Sequence, residues 1–331
     1  MLSHIGRQDT KVLVEQLKGQ VRKYYPEFTG IRQIKVIRSS RRSYSTILWV
    51  LLCGDNGSQK RIIVKISETA AAQYQAMMSL WSAFEAQSEW RIPRPLGYLV
   101  RTSALIMEEV QGIPLVRRFP RFVWNDMACD KAFADCQRAG QWLRFYHGLG
   151  SSDEMRCLAD SDYSVGLKET LSELQKAGFD ESICPVIRMS FAPLAERVLG
   201  KKRPVATLHG DYTIDNIVLN GNSVIVFDLA GQVKNIIDRD IAAFLNSILM
   251  LRFTRTVPSL ALDGMRRAFL RGYFGRDEWP SILICLLQGI GLADIALEIA
   301  QRRRSRLAHF WLERMVRRAL QSIMADVEKC Q

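Results

Sequence analysis

His209-Gly210-Asp211-Tyr212-Thr213-Ile214-Asp215-Asn216 sets a histidine, an aspartate and an asparagine in the order His-x-Asp-x-x-x-x-Asn. Twelve residues after Asn216, Val226-Phe227-Asp228-Leu229-Ala230-Gly231 adds a second aspartate. Short apolar runs frame both: Val205 to Leu208 before the loop, Ile217 to Leu219 after it, the turn Asn220-Gly221-Asn222, then Val224 to Phe227. Phosphoryl transfer asks little covalent chemistry of a protein, but it needs a carboxylate near the attacking hydroxyl and oxygen ligands for a hard cation. Asp211 can orient or deprotonate a hydroxyl, and Asn216 with Asp228 can supply the cation site. The bare motif also describes a polar turn between two core strands with His209 buried and hydrogen-bonded. Asp228 is what moves the reading toward chemistry.

Outward from this loop the chain divides by periodicity. Asp9 to Tyr24 carries Val12, Leu13, Leu17 and Val21 near helical spacing and predicts a lead-in helix that ends before Pro26. Ile31 to Arg38, Tyr44 to Cys53 and Arg61 to Ser67 are β-branched or aromatic runs, the last two separated by Gly54-Asp55-Asn56-Gly57, and predict a three-strand meander. Glu68 to Ala86, free of Gly and Pro, predicts a helix; Leu96 to Val100 and Ala104 to Val110 predict strands. From Gly112 onward long helical patterns dominate: Asp126 to Leu149, Gly166 to Ala177, Ile183 to Leu199, and nearly all of Asp238 to Lys329. The strands around the loop read as a small β island among these helices. Strand-rich then helix-rich order predicts an α+β chain with segregated parts, not alternating βαβ units.

The chain resembles the aminoglycoside phosphotransferase and choline kinase group, relatives of the protein kinases, from about Ile31 to Leu245. Arg61-Ile62-Ile63-Val64-Lys65 is similar to the third strand with its nucleotide lysine. Ile106-Met107-Glu108-Glu109-Val110-Gln111-Gly112-Ile113-Pro114-Leu115 is similar to the hinge whose backbone pairs with adenine, here around Glu108 and Val110. Trp142 to His147 resembles the family's helix ending in Leu-His, His209 to Asn216 its catalytic loop, Asp228 its second metal ligand, and Arg239-Asp240-Ile241-Ala242 its short Asp-Leu-Ala stretch.

The resemblance implies a protein-kinase-like bilobal α+β fold, with a small strand-rich N-lobe over residues 1–110 and a larger helical C-lobe over 111–331. It implies an ATP- and magnesium-dependent kinase in which Lys65 contacts the α/β-phosphates, Asp211 acts on the acceptor hydroxyl, and Asn216 with Asp228 holds Mg2+.

Two departures stand out. A kinase lysine is oriented by a glutamate from the next helix. The family pattern would put it near Gln73 or Gln75, both amides, while Glu85 would be a substitute and Glu68 is too near. The phosphate-covering turn Arg38-Ser39-Ser40-Arg41-Arg42-Ser43-Tyr44-Ser45 lacks glycine, so Ser40 and Ser43, with Arg41 or Arg42, would take the phosphate-binding role. His147 reads as a structural histidine near a helix end, and Asp215 as a solvated loop carboxylate.

Forty-eight per cent hydrophobic and 24% charged residues over 331 positions exclude a disordered or fibrous chain. Lys plus Arg exceeds Asp plus Glu by 46 to 34, a net charge of +12 that favours phosphate-bearing or anionic partners. Seven scattered cysteines without a C-x-x-C pair indicate reduced thiols, with neither a disulfide framework nor a zinc site. Met1 to Lys11 has no apolar signal core, so a cytoplasmic location is expected. Ser281 to Ala300 is apolar, but Gln288, Asp294 and Glu298 interrupt it, which predicts a buried core helix.

The basic helix around Arg302, Arg303, Arg304, Arg306, Arg314, Arg317 and Arg318 argues against a polycationic acceptor. A sugar, glycolipid or other neutral or anionic hydroxyl compound is the expected acceptor, with peripheral contact to an anionic membrane as a further expectation and nucleic acid disfavoured. A nucleotide-binding pseudokinase or regulatory scaffold is the alternative that the missing helix glutamate supports.

Overall fold

The computed structural model describes residues 7–41, 44–119, 125–150, 154–179, 183–229, 233–255, 257–278, 280–302 and 306–330. In chain order the elements are α1 (Arg7–Tyr24), β1 (Ile31–Arg41), β2 (Ser45–Gly54), β3 (Gln59–Ser67), α2 (Ala70–Glu85), β4 (Trp90–Arg91), β5 (Pro95–Leu99), β6 (Ala104–Glu108), β7 (Ile113–Pro114) and α3 (Leu115–Arg118). They continue with α4 (Asp126–Leu149), β8 (Met155–Cys157), α5 (Ser164–Leu174), α6 (Cys184–Val198), β9 (Lys202–Thr207), β10 (Ile217–Asn220), β11 (Ser223–Val226) and β12 (Lys234–Ile236). The C-terminal helices are α7 (Asp238–Thr254), α8 (Ser259–Phe274), α9 (Ile282–Arg302) and α10 (Arg306–Lys329). Strands first, helices after: the chain is mixed α+β, as its sequence pattern predicts.

Two compact units form, one from Met1–Ile113 with Val218–Gln232, the other from Pro114–Ile217 with Val233–Gln331. The first is built on an antiparallel sheet ordered β1-β2-β3-β6-β5. Side chains alternate across a strand, so Leu48, Val50 and Leu52 of β2, Ile62, Val64 and Ile66 of β3, and Ala104 and Ile106 of β6 share one buried face. Leu13 and Leu17 of α1, with Tyr25 and Phe28, close that face. Burying each such side chain contributes roughly 2 kcal/mol. On the opposite face the register aligns Ser40 with Ile47, Ile47 with Lys65, and Lys65 with Leu105, a single row across four strands. A second, four-stranded sheet is ordered β4-β11-β10-β7, with β11 parallel to β4.

The β island expected around the catalytic loop is therefore divided. β10 and β11 pair with β4 and β7, whereas β9 joins a separate antiparallel sheet with β8 and β12. These partner strands are two or three residues long, too short to leave a periodicity signal in the sequence.

In the second unit α4 and α8 cross at glycines. A Cβ on Gly140 would stand 2.1 Å from the Phe269 carbonyl oxygen, and one on Gly272 would stand 2.0 Å from that of Gln137. Only a hydrogen at those positions lets the backbones approach so closely. Around the crossing, Trp142 stacks between Tyr146 and Tyr212 at ring-centroid distances of 5.3 and 5.6 Å, and Phe244 stacks on Phe269 at 4.0 Å. The core helix expected over Ser281 to Ala300 is α9, which packs against α5, α6, α7 and α10. It is also the one described helix long and apolar enough to cross a membrane. Buried Arg266 of α8 pairs with buried Asp326 of α10. Cys53, Cys136, Cys184 and Cys285 are buried thiols.

Candidate active site

The residues singled out in sequence fall in both units, Lys65 and Asp228 in the first, Asp211 and Asn216 in the second. In the first unit Lys65 sits in the middle of β3, nearly buried, on the sheet face away from α1. Its ammonium pairs with Asp228 Oδ1. Asp228 follows β11 with a left-handed backbone, φ +67°, a conformation that costs a non-glycine residue about 1–2 kcal/mol. Gln73, in the second turn of α2 and 5% exposed, donates from Nε2 to the same oxygen at 2.9 Å.

Of the positions that the sequence left open for the lysine's helix partner, Gln73 is the one brought to this pair. Gln75 and Glu85 are exposed, because α2 turns only the face of Ala70, Gln73, Ala76, Met77 and Phe84 inward. Ser40 lies at the end of β1 in the same cross-strand row as Lys65. Ser43 and Arg42 lie outside the described residues. In the segment expected as the hinge, Glu108 ends β6, and its N–H is spent on the Arg94 carbonyl, as that of Glu109 is on Arg61. Val110 follows outside any strand.

The second unit holds the loop His209 to Asn216, expected to be catalytic. His209 is fully buried, with its ring at 5.4 to 6.4 Å from those of Tyr212, Trp142 and Tyr146. Its Nδ1 accepts the Asp211 N–H at 3.2 Å. Gly210 adopts φ +86°, which glycine alone takes without strain. That turn leaves Asp211 exposed. Asn216, almost buried, donates from Nδ2 to the Asp211 carbonyl at 2.9 Å and to Asp211 Oδ2 at 2.8 Å, so the asparagine both closes the loop and aims the carboxylate. Asp215 is exposed.

Beneath the loop lies Asp240, at the start of α7 and 1% exposed. Its carboxylate accepts the N–H of His209 at 2.7 Å and of Gly210 at 2.9 Å, while His147 Nε2 stands 3.1 Å away. His147 Nδ1 meets the Tyr273 hydroxyl at 2.8 Å, the structural role expected of it. Burial alone would raise the Asp240 pKa, but hydrogen bonding and charge from His147, with the Gly210 N–H, outweigh it and hold the carboxyl below the usual aspartate range. Ser247 Oγ adds a further α7 anchor, accepting the Ile214 N–H at 3.2 Å. Asp240 was legible in sequence only as part of a weak helix-start pattern; its hold on the loop was not.

Three acidic side chains of the second unit have partners within it. Glu154 pairs with Lys234 at 3.6 Å, Asp162 with Arg156 at 2.6 Å, and Asp160 accepts Ser164 Oγ at 2.6 Å. Asp153 lies outside the described residues, as do Arg303, Arg304 and the side chains of Arg302 and Arg306. Arg314, Arg317 and Arg318 of α10 are exposed.

Comparison with known proteins gives this arrangement its class. Residues 50–282 match the phosphotransferase enzyme family. No curated protein matches the sequence. The fold is similar to that of a putative aminoglycoside phosphotransferase from Ralstonia eutropha (TM-score 0.59, 14% identity, 96% of this chain and 99% of the other). It is also similar to a choline/ethanolamine kinase family protein from Mesorhizobium loti (0.54, 12%, 94% and 95%). A third similar structure is a glucosamine kinase in complex with glucosamine, ADP and inorganic phosphate (0.55, 13%, 91% and 96%). The fold is thus protein-kinase-like. Since the match spans most of its length, the chain belongs to the phosphotransferase enzyme family and is a small-molecule kinase.

Proposed function

We propose that this kinase moves the terminal phosphoryl group of ATP, with magnesium, to a hydroxyl of a neutral or anionic small molecule such as a sugar or glycolipid intermediate. The observation that carries the reading is the exposed Asp211 carboxylate, aimed by the Asn216 amide. In this role Asp211 receives the proton of the acceptor hydroxyl, and the Asn216 contact limits the orientations the carboxylate can sample. Lys65 is the cation that would meet the α/β-phosphates, exchanging Asp228 for phosphate oxygens. Ser40 lies in its cross-strand row, Ser43 is its companion in the same turn by sequence, and the hinge at Glu108 and Val110 would take the adenine.

Asn216 and Asp228 each carry a ligand type that magnesium takes. Asn216 spends its nitrogen on Asp211 and keeps its amide oxygen for a cation, and Asp228 supplies a carboxylate, both hard ligands. When bound, the metal would neutralise charge on the phosphates. A cytoplasmic location accords with this chemistry, since ATP is held there. The net charge of +12 supports an acceptor that is not polycationic.

Asp211→Asn tests the assignment: turnover should fall ~10²- to 10⁴-fold with nucleotide affinity nearly unchanged. Full activity in that variant would remove Asp211 from the chemistry. A panel of sugar, glycolipid and aminoglycoside acceptors followed by ³¹P NMR tests the acceptor class. A specificity constant for kanamycin-type compounds above that for every other acceptor would reverse the charge argument.

A further inference from the structure

We propose that Gln73 is a positioning residue for Asp228: the α2 amide holds the carboxylate, in place of a helix carboxylate that holds the lysine. The proposal rests on the reading of Asp228 as a metal ligand.

A carboxylate oxygen only accepts, so the 2.9 Å contact turns the amide with its nitrogen toward Asp228. Lys65 Nζ reaches the same oxygen, Oδ1, and both donors therefore load one side of the carboxylate. Oδ2 is the oxygen left to face a cation.

The two donors differ in what they can do next. In the proposed reaction Lys65 turns to a phosphate and then no longer orients Asp228. Gln73 is packed on the inner face of α2 among Ala70, Ala76 and Met77, carries no charge to compete with a divalent cation, and can stay in place. Asp228 needs such an anchor, since its left-handed backbone is unfavourable and must be offset by side-chain contacts.

Glutamate at 73 would set one carboxylate against another at hydrogen-bond range, with a single lysine between them. The geometry thus reverses what the kinase pattern suggests, in which a glutamate here would be a gain.

The test is calorimetric titration of the full chain with ADP, with and without Mg2+, on the wild type, Gln73→Met, Gln73→Glu and Asp228→Ala, with thermal melting as the check on folding. Losing a hydrogen bond to a charged group should cut the magnesium-dependent gain in ADP affinity roughly 10-fold or more in Gln73→Met, leaving metal-free affinity unchanged. The KM for MgATP should rise more than kcat falls. Gln73→Glu should also cut the gain.

A full gain in Gln73→Met, or an undiminished or increased gain in Gln73→Glu, overturns the proposal. If Gln73→Met melts below the assay temperature, Gln73→Glu decides by the same criterion. Asp228→Ala separates the two levels. Retention of the magnesium-dependent gain there overturns the metal-ligand reading itself, whereas its loss there with no change in the Gln73 variants overturns only the positioning role.

Discussion

Asn216 carries two duties that a single substitution can separate. Its nitrogen aims Asp211, and in the proposed reaction its oxygen would face the cation. Asn216→Asp keeps an oxygen ligand but replaces the donor with a second acceptor against Asp211. Asn216→Asp should therefore retain much of the magnesium-dependent nucleotide affinity while losing turnover, ~10²-fold or more, because a misaimed carboxylate forfeits positioning. Asn216→Ala should lose both. Calorimetry and steady-state rates on the same preparations check the split; equal turnover in wild type and Asn216→Asp would show that Asp211 needs no aiming. Replacing His209 removes both a buried ring from an aromatic cluster and the acceptor of the Asp211 N–H, so stability and loop geometry should suffer together.

The catalytic loop has no regular structure of its own over Leu208 to Thr213 and borrows rigidity from α4 and α7. Asp240 is the main tie, accepting two loop N–H groups with His147 behind it. Its folded pKa is depressed, so the stabilisation is fully present above the unfolded value, about 3.9, and is lost as pH falls through the lowered folded value. Asp240→Asn should cost about 2–4 kcal/mol at neutral pH, because an amide cannot accept both N–H groups and leaves buried donors unmet. Below about pH 4 the gap between wild type and variant should narrow, since the wild-type carboxyl is then losing its own advantage. Denaturant melts of both proteins from pH 3 to 8 measure this; a constant difference across that range would mean that Asp240 carries no ionic contribution.

With 46 basic against 34 acidic residues, the protein presents a field that attracts anions and repels polycations over distances well beyond contact. If the acceptor is anionic, kcat/KM should fall severalfold between ~20 and ~300 mM salt as the Debye length shrinks from about 20 Å to under 6 Å. A neutral acceptor should show little change, and a polycationic one a rise. Salt titration of kcat/KM for each acceptor found active would read the sign directly. Anionic-vesicle co-sedimentation reports on the exposed Arg314, Arg317 and Arg318 of α10 in the same salt range.

The fold class was written in local pattern. The meander of β2 and β3 follows from β-branched and aromatic runs around a Gly-Asp-Asn-Gly turn, α2 from a stretch free of Gly and Pro, and α4, α6 and α7 from long helical patterns, because secondary structure answers to nearest neighbours along the chain. Spacing singled out Asp211, Asn216 and Asp228, and the family resemblance Lys65; the structure brings Lys65 to Asp228 and Asn216 to Asp211. What the pattern could not carry was partner choice. The division of the β island, with Val224 beside Trp90 and Lys234 beside Thr207, depends on ladders between segments up to 134 residues apart. Nor could spacing decide among Gln73, Gln75 and Glu85, because one turn of helix changes which side chain faces inward, and only the packing of α2 on the sheet settles that turn. Asp240 gained its importance the same way: a carboxylate at a helix start is unremarkable in sequence, and becomes the support of the catalytic loop once tertiary packing places it under His209 and Gly210. Local propensity sets elements, and burial with hydrogen-bond satisfaction sets which of their faces meet.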